Sequence, residues 1–324
     1  MLRIFPMPPG GTGEEGAGLE GAVWVDLLDP TPAESAAVAA VIGAPLPTRD
    51  ALSEIETSSR LRRQNGALFM STPTAAHRGA GEIAVAPIGF VLSRERLITV
   101  RFTPLPAFDA LARKFEAGGA DIPKQGLDAF TELCEEIVDR VADGLERLAE
   151  HLGSLSVATF HADDTKGRQA VRSNRILRIQ LHQLGRLGDK LSEVRDGLLG
   201  LGRVVAFTDQ FAEEWCDATL KARLTSLRQD IASLSDYEAH LANKVQFVLD
   251  AMVGLIGIAQ NDIFKVLTIV SIVGIPPTLV ASMYGMNFKH MPELSWHYGY
   301  PYALAMIVLS AVIPVIWFRF KGWF

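Results

Sequence analysis

Toward its C-terminus the chain carries two long stretches with no charged side chain, and these constrain its fold more than any other feature. Residues 266–288 run 23 positions, and residues 294–318 run 25, without Asp, Glu, Lys or Arg. A helix rises ~1.5 Å per residue, so ~20 apolar residues cross a hydrocarbon core of ~30 Å. Both stretches reach that length, and no earlier window approaches it. The chain is therefore expected to cross a lipid bilayer twice, joined by a short surface connection over about 284–298. This explains how a sequence can be 48% hydrophobic and still 21% charged: the two properties are segregated along it. After residue 265 the charged residues are Lys289, Glu293, Arg319 and Lys321, so of the net charge of −6 the first 265 residues carry −8. That pattern excludes a purely soluble enzyme, a disordered chain and a basic nucleic-acid binder.

Orientation follows from the basic residues near the span ends. Lys244 and Lys265 precede the first span, and Arg319 and Lys321 follow the second, whereas the connection has only Lys289, offset by Glu293. Both termini are expected in the cytoplasm, with a multi-pass protein in the inner membrane. Trp296, Tyr298, Tyr300 and Tyr302 at one end of the second span, and Trp317 and Trp323 at the other, form the expected interfacial belts. The N-terminus has no apolar leader, so the bulk of the chain is expected to stay where it is made. Cys134 and Cys216 form no CxxC pair and read as reduced thiols.

The first span has a polar side. Thr268, Ser271, Thr278 and Ser282 fall within an arc of about 80° at 100° per residue, and Ile275 and Gly285 continue the row. The second span has a single hydroxyl, Ser310. The row is either a water-lined face or a helix-packing face, since small and hydroxyl residues serve both. Pro276-Pro277 lies inside this span and frees carbonyls near Ile272 and Val273 that need partners in lipid.

Upstream, Leu220, Leu224, Leu227, Ile231, Leu234, Glu238, Leu241, Val245, Val248, Met252, Leu255 and Ala259 alternate steps of four and three. That stride marks a helix–helix seam. A helix over 221–287 would be ~100 Å long, much of it a stalk continuous with the first span. Glu238 breaks the seam, as a register device or a solvated edge, and the edge is the favoured expectation. Residues 127–155 and 167–201 are two further helices, with 156–167 as the turn between them. The acidic row Glu132, Glu135, Glu136, Asp139, Asp143, Glu146 and Glu150 reads as a solvated face, with a divalent-cation surface as the alternative. Residues 1–120 read as a mixed α/β unit, with strands at 22–28, 67–72, 83–93 and 97–102, helices at 31–42 and 104–116, and a loop at 6–18. No nucleotide loop, metalloprotease motif or nucleophile–base spacing is present, so an enzyme is not expected. His77, His151, His161, His182 and His240 stand singly.

The first span ends in "SMYGMNFKHMPEL", residues 282–294. Gly285-Met286-Asn287 after a Tyr, followed by Met291-Pro292-Glu293-Leu294, resembles the CorA family of divalent-metal channels, which carry a Gly-Met-Asn signature at this place. Residues 265–288 and 299–324 look like that family's first span and its second span with basic tail. The resemblance implies an α/β cytoplasmic N-terminal domain, then a long helical stalk and two transmembrane helices, assembled as a funnel-shaped homo-oligomer. Its parts are a cytoplasmic α/β domain (1–125), a helical hairpin (126–203), a stalk helix (204–265), a pore helix (266–287), an external loop (288–298), and a second span with basic tail (299–324). It also implies a homopentamer in the lipid bilayer and no nucleic-acid partner.

The implied activity is import of hydrated Mg²⁺, with Co²⁺ or Ni²⁺ also carried. Mg²⁺ holds its water tightly and takes hard oxygen ligands. A ring of Asn287 carboxamides can accept hydrogen bonds from that water shell without adding formal charge, with Gly285 and Met286 completing the filter. By resemblance Asn261, Phe264 and Leu267 line the inner half of the pore. Leu267 is a hydrophobic constriction there, and Phe264 stands where a smaller or more flexible side chain is usual. Thr268, Ser271, Ile275, Thr278 and Ser282 line the rest. Family members are held shut by intracellular Mg²⁺ bridging neighbouring subunits. Asp50 matches one half of that site, but Ser226 stands at the partner position, with Asp230 one turn on as substitute, so weaker Mg²⁺ inhibition is expected. Lys289 and His290 depart from the family's loop, where an acidic and an aromatic residue are common. Lys289 repels cations at the mouth, whereas His290 and His297 keep open a Zn²⁺ transporter of the related ZntB type, coupled to protons. A membrane-tethered scaffold without flux is the third reading.

Overall fold

The computed structural model describes residues 1–5, 19, 21–54, 60–78, 82–118, 122–161, 170–287 and 291–323. The expected loop at 6–18 lies outside them. The chain divides into two compact units, one of residues 1–161 and 180–248, the other of residues 162–179 and 249–324.

The first unit is built on a six-stranded sheet. Its strands are β1 (Leu2–Phe5), β2 (Trp24–Leu28), β3 (Leu61–Gln64), β4 (Ala67–Arg78), β5 (Glu82–Leu92) and β6 (Leu97–Arg101), in the order β1-β2-β6-β5-β4-β3. β2 and β6 run parallel, and the other neighbours are antiparallel. Both faces of β2 and β6 are covered, which is why they read as nearly continuous apolar runs rather than clean alternation. One face buries Val25, Leu27, Ile98 and Val100 with Val38 of α1 (Pro32–Ile42) and Leu52 of α2 (Arg49–Ser53). The other packs Trp24 against Phe108 and Phe115 of α3 (Pro106–Ala117), with ring centroids 6.3 and 5.8 Å away. Thr31 caps α1, and Glu34 returns the hydrogen bond to Thr31. The sequence missed β1, β3 and α2, three elements of four or five residues each, too short to establish a period.

A buried ion pair lies inside the second face. Arg101 donates from Nη2 to Asp26 Oδ2 at 2.7 Å and from Nε to Oδ1 at 3.1 Å, and Thr99 Oγ1 donates to Asp26 Oδ1 at 2.9 Å. Trp24 Nε1 donates to Thr99 Oγ1 at 3.1 Å, and the Arg101 guanidinium lies 4.6 Å from the centre of the Phe108 ring.

Three long helices follow: α4 (Gly126–His161), α5 (Ala170–Phe211) and α6 (Ala218–Tyr284). Gly126 opens α4 against the backbone of Arg96, where a Cβ would lie 2.4 Å from the carbonyl carbon, so a side chain has no room there. α4 runs six residues beyond the helix expected at 127–155, through the first half of the stretch read as a turn. α6 is unbroken through Pro276 and Pro277, beginning and ending three residues before the expected 221–287. α5 and α6 are antiparallel neighbours: a Cβ on Gly202 would lie 3.4 Å from Ile231, Arg195 faces Glu238, and a Cβ on Gly188 would lie 3.8 Å from Val245. These three contacts recur every seven residues on both helices, the stride of the seam. Leu220, Leu224, Leu227, Ile231, Leu241, Val248 and Met252 are buried in it.

Glu238 corrects the reading of a solvated edge. It is 2% exposed, and its ion-pair partner, Arg195, stands with Nε 4.0 Å from Oε2. Burial pushes its carboxyl above the usual range, and Arg195 offsets this only in part. The sequence pattern counted Glu238 as an interruption, whereas the backbone simply continues the buried stripe through it.

In the second unit, α7 (Gly299–Phe320) follows a short 3₁₀ turn at Pro292–Ser295. It closes on Gly322, whose φ of +71° suits glycine. Trp323 N–H returns to Phe318 O at 3.1 Å, and the two rings meet at 5.1 Å. No residue in the most apolar 18-residue window of α6 is buried, and α7 is almost as bare. Two helices with so much exposed apolar surface need lipid or further copies of the chain to cover it.

Candidate functional site

The proposed pathway residues share one element, α6. Asn261, Phe264, Leu267, Ile275, Thr278, Ser282, Gly285, Met286 and Asn287 are exposed, and Thr268 and Ser271 are half-exposed. Phe264 and Leu267, at 65% and 60%, are among the barest large apolar side chains of the first span. A regular helix through this stretch puts the hydroxyl row, the two bulky residues and Asn261 along one side, and the opposite side, with Ile263, Val266 and Val270, is exposed as well.

The two threonine hydroxyls of the row are engaged with their own helix. Thr268 Oγ1 donates to Phe264 O at 2.7 Å, and Thr278 Oγ1 donates to Ile275 O at 2.7 Å and Gly274 O at 3.2 Å. With their protons turned back onto the backbone, these oxygens present only lone pairs outward. A hydrated cation presents water hydrogens outward, so a row of acceptors suits it. Thr278 also sits just after the proline pair, where the lost N–H groups strip the Ile272 and Val273 carbonyls of their usual donors.

α6 ends at the signature. Gly285 N–H meets Ala281 O at 3.0 Å and Met286 N–H meets Met283 O at 3.3 Å, a tightened last turn that leaves Asn287 exposed just beyond it. A Cβ on Gly285 would lie 3.3 Å from Ala281 O, crowding the last helical carbonyls. Of the external-loop candidates, Lys289 and His290 lie outside the described residues, and Glu293 falls in the 3₁₀ turn. His297 packs edge-on against Tyr298 at 5.0 Å, next to the Trp296–Tyr302 contact at 5.8 Å.

Asp50 is exposed in the first turn of α2, behind its Thr48 cap, and Asp230 and Ser226 are exposed on α6. The acidic row of α4 separates into two sets. Arg223 of α6 reaches Asp128 at 2.9 Å, Glu132 at 2.6 Å and Glu135 at 2.5 Å, and Lys114 also pairs with Glu132. Burial pushes Glu132 up, but the hydrogen bonds from Lys114 and Arg223 overcome this and hold it below the usual carboxylate range. Glu136 pairs with Arg140 at 2.8 Å. Asp139, Asp143, Glu146 and Glu150 are exposed, as a solvated face should be. The first turns of the row are thus a clamp between α4 and α6, which the sequence reading missed because it considered one helix at a time. Among the described residues, no three acidic, His or Cys side chains are grouped to hold a metal ion. Cys134 is buried and Cys216 half-buried, both as free thiols, and burial raises the pKa of each.

Three comparisons bear on this arrangement. A family model described as "CorA-like Mg2+ transporter protein" matches residues 20–319. The magnesium transport protein CorA of Salmonella typhimurium is 33% identical over 310 residues, covering 96% of this chain and 94% of that protein. Among solved structures, the CorA magnesium transporter of Methanocaldococcus jannaschii superposes with a TM-score of 0.71 at 18% identity, over 93% of this chain and 91% of that one. The ZntB cytoplasmic domain of Vibrio parahaemolyticus superposes with a TM-score of 0.56 at 11% identity, over 71% of this chain and 86% of that one.

Proposed function

The chain belongs to the CorA family of divalent-cation transporters, and from that premise we propose that it is a homopentameric channel importing hydrated Mg²⁺, with Co²⁺ and Ni²⁺ as further cargo. The family are transporters rather than enzymes. The observation that carries the reading is the acceptor row of α6, which ends at an exposed Asn287. One helix cannot enclose water, so the row becomes a pathway only when copies of α6 turn it toward a common axis, with α7 outside facing lipid. Asn287 forms the selecting ring. Thr268, Ser271, Thr278 and Ser282 replace bulk water below it, Ile275 narrows the path, and Phe264 and Leu267 close it by dewetting above Asn261. The protein sits in the inner membrane with both termini in the cytoplasm.

The test is flux into proteoliposomes over an ion series, with and without a pH gradient. Mg²⁺ flux driven by membrane potential alone is expected. Zn²⁺ flux that needs a proton gradient would replace this reading by a ZntB-type one, for which His297, exposed at the mouth of α7, supplies a suitable ligand type.

The cytoplasmic domain gates the channel in this reading, with Asp50 and Asp230 bridging copies through Mg²⁺. Both are exposed, as an intersubunit bridge requires. With Ser226 in place of a carboxylate, protection of the cytoplasmic domain from protease should need more Mg²⁺ than a two-carboxylate site does. Asp50→Ala should shift the protection curve to still higher Mg²⁺. An unshifted curve would remove Asp50 from the gate.

A further inference from the structure

Glu238 is the one residue of the α6 seam whose chemistry conflicts with its place. It lies at the centre of an antiparallel contact that repeats every seven residues, with Ile231 and Val245 one heptad to either side. Its own neighbours one turn away are Leu234, Ser235, Leu241 and Ala242, none of them charged. On α5 the turns around Arg195 present the buried Leu191, Val194 and Leu198 together with the charged Lys190, Glu193 and Asp196, of which Glu193 is half-buried and also has its carboxyl raised by burial. α4 runs alongside α6, with Phe160 and Phe247 in ring contact at 5.9 Å. Its charged residues near the level of Glu238 are Glu146, Arg147, Glu150 and His151, and all four are exposed. Arg195 is thus the charged group acting on the carboxyl. It stands at the 4.0 Å limit of an ion pair with its side chain 60% exposed, so water screens much of its pull.

We propose that Glu238 is a proton-binding site built into the seam between α5 and α6, so that acidification of the solution around this unit tightens the packing of the two helices. An ionised carboxylate in an apolar seam with one distant, hydrated cation is costly, and the neutral acid is not. The sign follows from burial. A carboxyl whose pKa is raised on folding adds stability while it is protonated, and that stability is lost as pH rises through its folded value. α6 continues without a break from this seam to Tyr284, so protonation bears on the helix that carries the pathway residues. That consequence for flux rests on the channel reading; the proton site does not.

The experiment is amide hydrogen exchange of the full-length protein, comparing wild type with Glu238→Gln at matched pH from about 8 to about 5 and following peptides 184–201 and 231–248. Wild type should exchange several-fold faster than the variant at the alkaline end and converge on it at the acid end. A constant gap, or none, would overturn the proposal. Arg195→Gln supplies a second arm if Glu238→Gln does not fold. Loss of the cation should move the wild-type pH response upward, whereas an unmoved response would refute the site. In proteoliposomes, Glu238→Gln should remove the part of the pH dependence of flux that wild type shows. A chain with no flux at all would defeat the channel reading and leave the exchange result standing.

Discussion

Asn287→Ala is expected to reduce Mg²⁺ flux in proteoliposomes by about a hundredfold or more while leaving the fold intact. The size follows from the chemistry of the ring. Each carboxamide oxygen accepts from water polarised by a doubly charged ion, and a hydrogen bond to a charged group contributes ~1.5–3 kcal/mol. One such bond corresponds to a factor of roughly 10–100 in occupancy, and the substitution removes one from every copy at once. The fold should not respond, because Asn287 lies beyond the end of α6 and is exposed. Asn287→Asp separates geometry from charge. It keeps an acceptor at the same distance but adds a formal charge per copy, so binding should strengthen and release should slow, giving low flux with a lower half-saturating concentration. Wild-type flux from an intact Asn287→Ala protein would move selection elsewhere, whereas absence of flux from the unaltered protein would leave the scaffold reading standing.

What the sequence made legible was whatever repeats over many residues. The two spans depend on composition over some twenty positions, and the α6 seam on a stride held over eleven steps. Both survive a single exception such as Glu238, which is why the fold could be read there and the burial of that residue could not. The capping box of Thr31 and Glu34 at the start of α1 is a local device within four residues, although the helix expected at 31–42 did not rest on it. Arg223 and its three carboxylates were opaque for the opposite reason, since their partners lie 88 to 95 positions away and no pattern within one helix points to them. The same holds for Asp26. In "WVDLL" an acidic residue between apolar ones suggests one wet face of a strand, yet both faces of β2 are covered. Its partner Arg101, 75 positions on, closes the parallel pair β2–β6. The pathway residues are a third case. The row was legible as a row, but whether water or lipid meets it depends on copies of the chain.

Asp26→Ala should cost the first unit about 3–5 kcal/mol, the expected effect of breaking a buried ion pair by removing one partner. Asp26 is fully buried and Arg101 is 1% exposed, so the guanidinium left behind cannot reach water without opening the sheet. Thr99 would also lose the nearer of its two acceptors, keeping only Val25 O at 3.5 Å, and the Trp24–Thr99 bond depends on that hydroxyl. Arg3 does not compensate, because it is a second cation near the same site, with Nε 3.7 Å from Asp26 Oδ2. Against a typical domain stability of ~5–15 kcal/mol this is a large fraction, and urea unfolding of the protein in detergent should show an early transition in the sheet unit. The double substitution Asp26→Leu with Arg101→Met distinguishes a lost attraction from an orphaned charge. If the penalty comes from the stranded guanidinium, the double variant recovers most of the loss, because two apolar groups of similar volume need no partners in that core. If it is as unstable as Asp26→Ala, the pair itself supplies the stability, and the sheet depends on the Asp26–Arg101 hydrogen bonds rather than merely tolerating them.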